Sequence, residues 1–143
     1  MIQIEPYLFF NGRCEEAIHF YQQTLGAEVQ MMLRNREAPA PQGDAPEDRG
    51  EMPPGMEDKV MHATLRIGNT NVMMSDGMCD GKPVFEGFRL SFNVADAAAA
   101  DRLFNALGAG GSVQLPLGKT FWSPCFGMLT DKFGLGWMIS AEH

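Results

Sequence analysis

The sequence predicts an α+β fold of two paired βαβββ modules, closing as a curved sheet or half-barrel around a cleft. Three observations carry that expectation. Sliding the chain against itself by 82 residues aligns Leu8 with Leu90, Phe10 with Phe92, Asn11 with Asn93, Ala17 with Ala99, and Leu25-Gly26-Ala27 with Leu107-Gly108-Ala109. Within each copy, an apolar stripe at helical spacing is flanked by runs with strand character. Both copies also end alike, Met73-Met74-Ser75 against Met138-Ile139-Ser140.

The elements follow in order. Ile4–Phe10 is apolar on both faces, as a strand packed between layers would be. Asn11-Gly12 offers a helix cap, and Glu15 and Glu16 place negative charge in the first turn, where the helix dipole favours it. Cys14, Ala17, Ile18, Tyr21 and Leu25 form one stripe, stopped by Gly26. Glu28–Leu33 reads as a strand. Val60–Ile67 and Asn71–Ser75 form a hairpin through Gly68-Asn69. The second copy repeats the pattern: strand Phe88–Val94, cap Asp96, stripe Ala100, Leu103, Phe104 and Leu107, stop Gly108, strand Ser112–Leu117, then Thr120–Thr130 and Leu135–Ser140 joined by Asp131–Gly134. The modules are expected at about residues 1–76 and 84–143 of a single domain. A four-stranded sheet covered by helices on one face must close its other face on something, so the cleft is where function is sought.

Residues Asn35–Asp58 break the pattern. They hold seven acids against two bases, and five of the nine prolines. Such a segment cannot repay its ordering entropy by burial, so a solvated loop inserted in the first module is expected. That loop carries five of the seven net negative charges. An acidic chain of this kind argues against nucleic acid or an acidic membrane as partner. No apolar run approaches the length of a membrane span, and the start MIQIEPYLFF lacks a basic leader, so a cytoplasmic protein is expected. Cys14, Cys79 and Cys125 are odd in number and far apart, and no Cys/His cluster points to zinc. Gly118-Lys119-Thr120 lacks the upstream glycine of a phosphate-binding loop.

The run Pro6-Tyr7-Leu8-Phe9-Phe10-Asn11-Gly12, then Glu16-Ala17-Ile18-His19-Phe20-Tyr21, Val60-Met61-His62-Ala63, and Phe121-Trp122…Gly127…Asp131-Lys132-Phe133-Gly134…Trp137 resembles the PhnB-like branch of the vicinal oxygen chelate superfamily. That superfamily includes glyoxalase I, extradiol dioxygenases, and the fosfomycin and bleomycin resistance proteins. The resemblance implies a divalent metal held by one residue from each of four strands. Carried onto this chain, those positions fall at Pro6, near Met73 or Met74, near Arg89, and at Met138. None of these is a ligand for a hard or borderline cation, so no metal and no other cofactor is expected. Members of the branch have also been labelled ubiquinone-pathway methyltransferases. No glycine-rich strand-to-helix turn for a methyl-donor nucleotide is visible here.

The expected ligand contacts are His62, Met74, Arg89, Trp122 and Met138. His62 shares a strand side with Thr64 and Arg66, and is either a cavity-facing acid or base or a hydrogen-bonded sheet residue. Arg89 is either an anchor for a carboxylate or phosphate or the partner of Asp76 or Glu86. The eleven methionines, Met31, Met32, Met61, Met73, Met74 and Met138 among them on expected strands, fill core gaps or line an adaptable pocket. With Phe121 and Trp122 they suit a small organic ligand. Cys125 has no base beside it and reads as packing. The expected function is therefore small-molecule binding, of which resistance-type sequestration is a model, by a homodimer. The alternative is a lyase, isomerase or dioxygenase-like enzyme using His62.

Overall fold

The structure, a computed structural model, describes residues 2–37 and 55–142. Two helices and eight strands form two four-stranded sheets, an α+β fold. The chain divides into two compact units, Met1–His19 with Ala27–Lys82, and Phe20–Gly26 with Pro83–His143. The last turns of the first helix thus group with the second unit.

The first unit holds β1 (Tyr7–Phe9), the start of α1 (Cys14–Leu25), β2 (Glu28–Arg34), β3 (Val60–Ile67) and β4 (Thr70–Ser75). Its sheet order is β1-β4-β3-β2, with β1 parallel to β4 and the other pairs antiparallel. Leu8, Met74 and Ala63 stand in register and are fully buried or nearly so. Their alternates Tyr7, Met73 and Thr64 occupy the other face and are exposed or half-buried. The first strand is therefore buried on one face, not both. It is also shorter than expected: Ile2 and Ile4 are more than nine-tenths exposed, and Pro6 has no N–H to give a ladder. The β3–β4 hairpin turns through Gly68 at φ 60°, a value that suits glycine.

The cap of α1 is not the expected one. Asn11 sends its side chain to the Lys82 carbonyl at 3.0 Å, and Arg13 is the residue whose carbonyl accepts from Ala17 N–H at 2.9 Å. The capping oxygen comes instead from buried Asp76, whose Oδ1 accepts from Cys14 N–H at 2.8 Å while Oδ2 accepts from Val60 N–H at 2.6 Å. One carboxylate thus meets the positive end of a helix and fixes the start of β3. Gly26, at φ 65°, ends the helix as expected.

The second unit holds β5 (Leu90–Val94), α2 (Ala97–Gly108), β6 (Ser112–Gly118), β7 (Cys125–Thr130) and β8 (Gly136–Ala141). Its order β5-β8-β7-β6 repeats the topology of the first sheet, again with one parallel pair. Asp96 caps α2 by accepting from Ala99 N–H at 2.8 Å, and Ala100, Phe104 and Leu107 bury the helix against the sheet. Gly108 remains helical and Ala109 is the C-cap, in extended backbone, so the stop falls one residue later than expected. β7 begins at Cys125, not Thr120, because Thr120 and Ser123 close a turn on each other before Pro124. Asp131 opens the β7–β8 connection and is 2% exposed. Its carboxylate accepts from Phe133 N–H, Leu135 N–H, Trp137 Nε1–H and the Tyr21 hydroxyl.

Most of the expected loop, residues 38–54, lies outside the described residues. Its described ends are ordered. Asn35–Glu37 forms a 3-10 turn, Asn35 N–H donates to the Lys59 carbonyl at 2.9 Å, and Arg36 N–H donates to the Glu57 carbonyl at 3.0 Å. Among the described residues, no helix is long and apolar enough to cross a membrane.

Candidate functional site

Strand alternation decides which side chains can reach a ligand. On β8, Trp137, Ile139 and Ala141 are buried in the core, whereas Met138 and Ser140 are half-buried on the other face. Parallel pairing sets Leu90 beside Trp137 and Ser91 beside Met138, so one step earlier Arg89 lies over Gly136. A Cβ at position 136 would stand 2.9 Å from both Arg89 Cγ and Nη1. A side chain at position 136 would force Arg89 to shift from this place.

Arg89 Nη1 donates to the Leu129 carbonyl at 2.8 Å. Neither of the acids expected to neutralise it, Asp76 or Glu86, does so: the ion pairs Arg13–Glu16, Arg34–Glu15 and Arg36–Asp58 do not involve it. Its guanidinium borders a cavity of about 450 Å³ with Phe85, Phe88, Thr130, Gly136 and Met138. Phe85 and Phe88 meet edge to face, ring centroids 6.4 Å apart. The cavity is a partly apolar hollow with one fixed cation at its wall.

Two of the five expected contacts, Arg89 and Met138, therefore share one pocket. Trp122 lies elsewhere in the same unit. It is 57% exposed, stacks edgewise on Phe121 and Phe126, and borders a separate hollow of about 340 Å³ with Lys119 and Pro124. Met74 lies on the opposite face of its sheet from His62. It is 0% exposed, in register with Leu8 and Ala63, and the methionine on the open face of β4 is Met73. His62 stands on the open face of the first unit's sheet, its Nδ1 3.3 Å from the Tyr7 hydroxyl and its Nε2 3.2 Å from Thr64 Oγ1. Both ring nitrogens are thus engaged by hydroxyls.

Sequence reasoning missed Phe85, Phe88, Thr130 and Gly136. The Asp131–Gly134 connection held a usable signal: it sets Thr130 opposite Gly136, on the same face as Met138. Nothing in the pattern singled out Phe85, which belongs to no strand.

The thiols do not extend the chemistry. Burial, then the Asp76 and Glu15 carboxylates, push the Cys14 thiol upward, and burial with Asp76 raises Cys79. Neither is poised as a nucleophile. The Arg34 guanidinium, hydrogen-bonded to Glu15, holds that carboxyl below its ordinary range.

The metal positions implied by the resemblance fare no better. Proline has no side-chain donor, a thioether is a soft ligand, and a guanidinium repels a cation. Among the described residues no group of three or more His, Cys, Asp or Glu side chains could hold a metal ion. These residues do not fit a divalent cation.

A family model described as 3-demethylubiquinone-9 3-methyltransferase matches residues 2–140 of the chain. The chain belongs to this family. It is the PhnB-like branch of the vicinal oxygen chelate superfamily, as the sequence motifs imply. Protein YjdN of Escherichia coli K12 is similar at 39% identity over 140 residues, 96% of this chain and 93% of the relative. The crystal structure of protein PA1353 from Pseudomonas aeruginosa is 43% identical with a TM-score of 0.82, covering 99% of this chain and 98% of that one. The fosfomycin resistance protein FosX from Listeria monocytogenes shares the fold at 11% identity and a TM-score of 0.67, over 100% and 96% of the two chains. Membership in the PhnB-like branch establishes the fold; the reaction in a family's description does not by itself place catalytic groups in this chain.

Proposed function

We propose that this protein binds a small organic molecule in the second unit's pocket, without the metal its superfamily is named for. The observation that carries this reading is the cavity of about 450 Å³ that unites Arg89 with Met138, Phe85 and Phe88. A hollow of that size, partly apolar and with few polar side chains, has the character of a ligand site. Met138 would be an adaptable contact and Arg89 the orienting one. The expected roles of His62 and Trp122 would belong to other surfaces. The chain would work in the cytoplasm as a homodimer, which would cover sheet edges left at β1, β2, β5 and β6.

The test is a screen of aromatic fragments by amide-resonance mapping. Shifts should gather at Phe88, Thr130 and Met138, and Met138→Trp, which fills the hollow, should remove them. A screen with no shifts at these residues, or one unchanged by Met138→Trp, overturns the reading.

A second reading is favoured by the Tyr7–His62–Thr64 contacts: a lyase, isomerase or dioxygenase-like enzyme using His62 as acid or base. Metal analysis of the purified protein separates the two classes. Stoichiometric metal lost in His62→Gln supports the enzyme, and metal-free protein that retains fragment binding supports the binder.

A further inference from the structure

We infer that the molecule held in this pocket carries an oxyanion, a carboxylate or a phosphonate, on an apolar aromatic body, and that Arg89 receives it. The inference rests on the pocket reading above and names its ligand class.

Four observations carry it. Among the described residues bordering the cavity, Arg89 is the only charged one. It is half-buried, and among the described residues no carboxylate pairs with it. A guanidinium cannot shed its charge as a buried lysine can, so it requires an anion or water at its remaining donors. Finally, the Leu129 carbonyl and the absence of a side chain at Gly136 fix where it lies. A cation held this way has already lost its rotamer freedom, so little further ordering opposes binding.

The rest of the lining selects the body of the ligand. Phe85, Phe88 and Met138 offer rings and a polarizable sulfur. Thr130 spends its hydroxyl proton on Gln114 Oε1 at 2.9 Å, so its hydroxyl has no proton left to give an anion. Among the described lining side chains, anion recognition therefore falls on Arg89, whose planar fork can grip two oxygens at once.

The experiment compares 1-naphthoate with 1-naphthamide, identical in rings and differing in charge, by calorimetry on the full chain. Naphthylphosphonate and inorganic phosphate form two further arms. Expected is binding of naphthoate about tenfold or more tighter than of the amide, as loss of a charge-assisted bond implies. Arg89→Gln should bring acid and amide to equal affinity. Gly136→Ala, which displaces the guanidinium, should narrow the difference in affinity between acid and amide. Tighter naphthylphosphonate than naphthoate assigns the phosphonate class, and the reverse assigns the carboxylate. Inorganic phosphate matching the aromatic acids overturns the aromatic body. Equal binding of acid and amide by the unaltered protein overturns the inference while the pocket reading stands. Binding of neither overturns both.

Discussion

Tyr21 donates its phenolic proton to Asp131 Oδ2 at 2.5 Å, joining residues 110 apart in sequence. The same buried carboxylate accepts from Trp137 Nε1–H at 2.9 Å and from two backbone amides of its own turn. Tyr21, Phe133 and Trp137 stack edgewise around it, with ring centroids 5.8–6.0 Å apart. Asp131→Ala would leave these buried donors without an acceptor, at a cost of about 3 kcal/mol or more. Tyr21→Phe removes one neutral donor and should cost about 1–3 kcal/mol. Urea unfolding monitored by circular dichroism checks both, and an unchanged midpoint for Asp131→Ala refutes the assignment.

Asp76 has a comparable task in the first unit. Replacing it by alanine strips the cap from α1 and leaves the amides of Cys14 and Val60 unpaired. The expected loss is about 2–5 kcal/mol, combining a cap with a buried donor. Hydrogen exchange at those two amides should accelerate in Asp76→Ala, whereas Asn11→Ala should leave both rates unaltered.

Cys14 gives stability a dependence on alkaline pH. Burial and neighbouring carboxylates raise its thiol above the ordinary value of 9.0. The folded chain keeps the proton where the unfolded chain releases it, so this contribution is complete below pH 9.0 and declines as pH rises above it. The urea midpoint should fall more between pH 8 and pH 10 in the parent than in Cys14→Ala. Iodoacetamide at pH 8 should label Cys14 only after denaturant is added; labelling of the native thiol contradicts its burial.

The two tryptophans should be separable by quenching. Trp122 is 57% exposed and Trp137 is 3% exposed. Acrylamide or iodide should quench one component of the emission, and Trp122→Phe should remove it. A quenchable signal that survives this substitution would place Trp137 at the surface.

Much of this architecture is legible in the sequence because periodicity and punctuation coincide. Val60–Ile67 matches its expected span, the Gly68-Asn69 turn follows, and Asp96 caps the helix it precedes. Errors gather where a distant residue supplies what local sequence seems to offer. Asn11-Gly12 reads as a cap, yet Asp76 holds that position from 62 residues away, a pairing no local window contains. Met74 and Met73 are chemically identical and differ only in pleat, which one residue of register decides. Arg89 was recognisable as a buried charge needing a partner. The glycine that seats it was not, since Gly136 gains its meaning only when two strands far apart in sequence lie side by side.

The stapled pair of backbone bonds at Asn35–Lys59 and Arg36–Glu57 has a practical consequence. Because those bonds tie residues 35 and 36 to residues 59 and 57, the two described ends of the insertion are clamped side by side next to β2 and β3. Reporter groups attached at residues 37 and 57 should therefore sense each other in the folded chain and separate when urea opens the clamp.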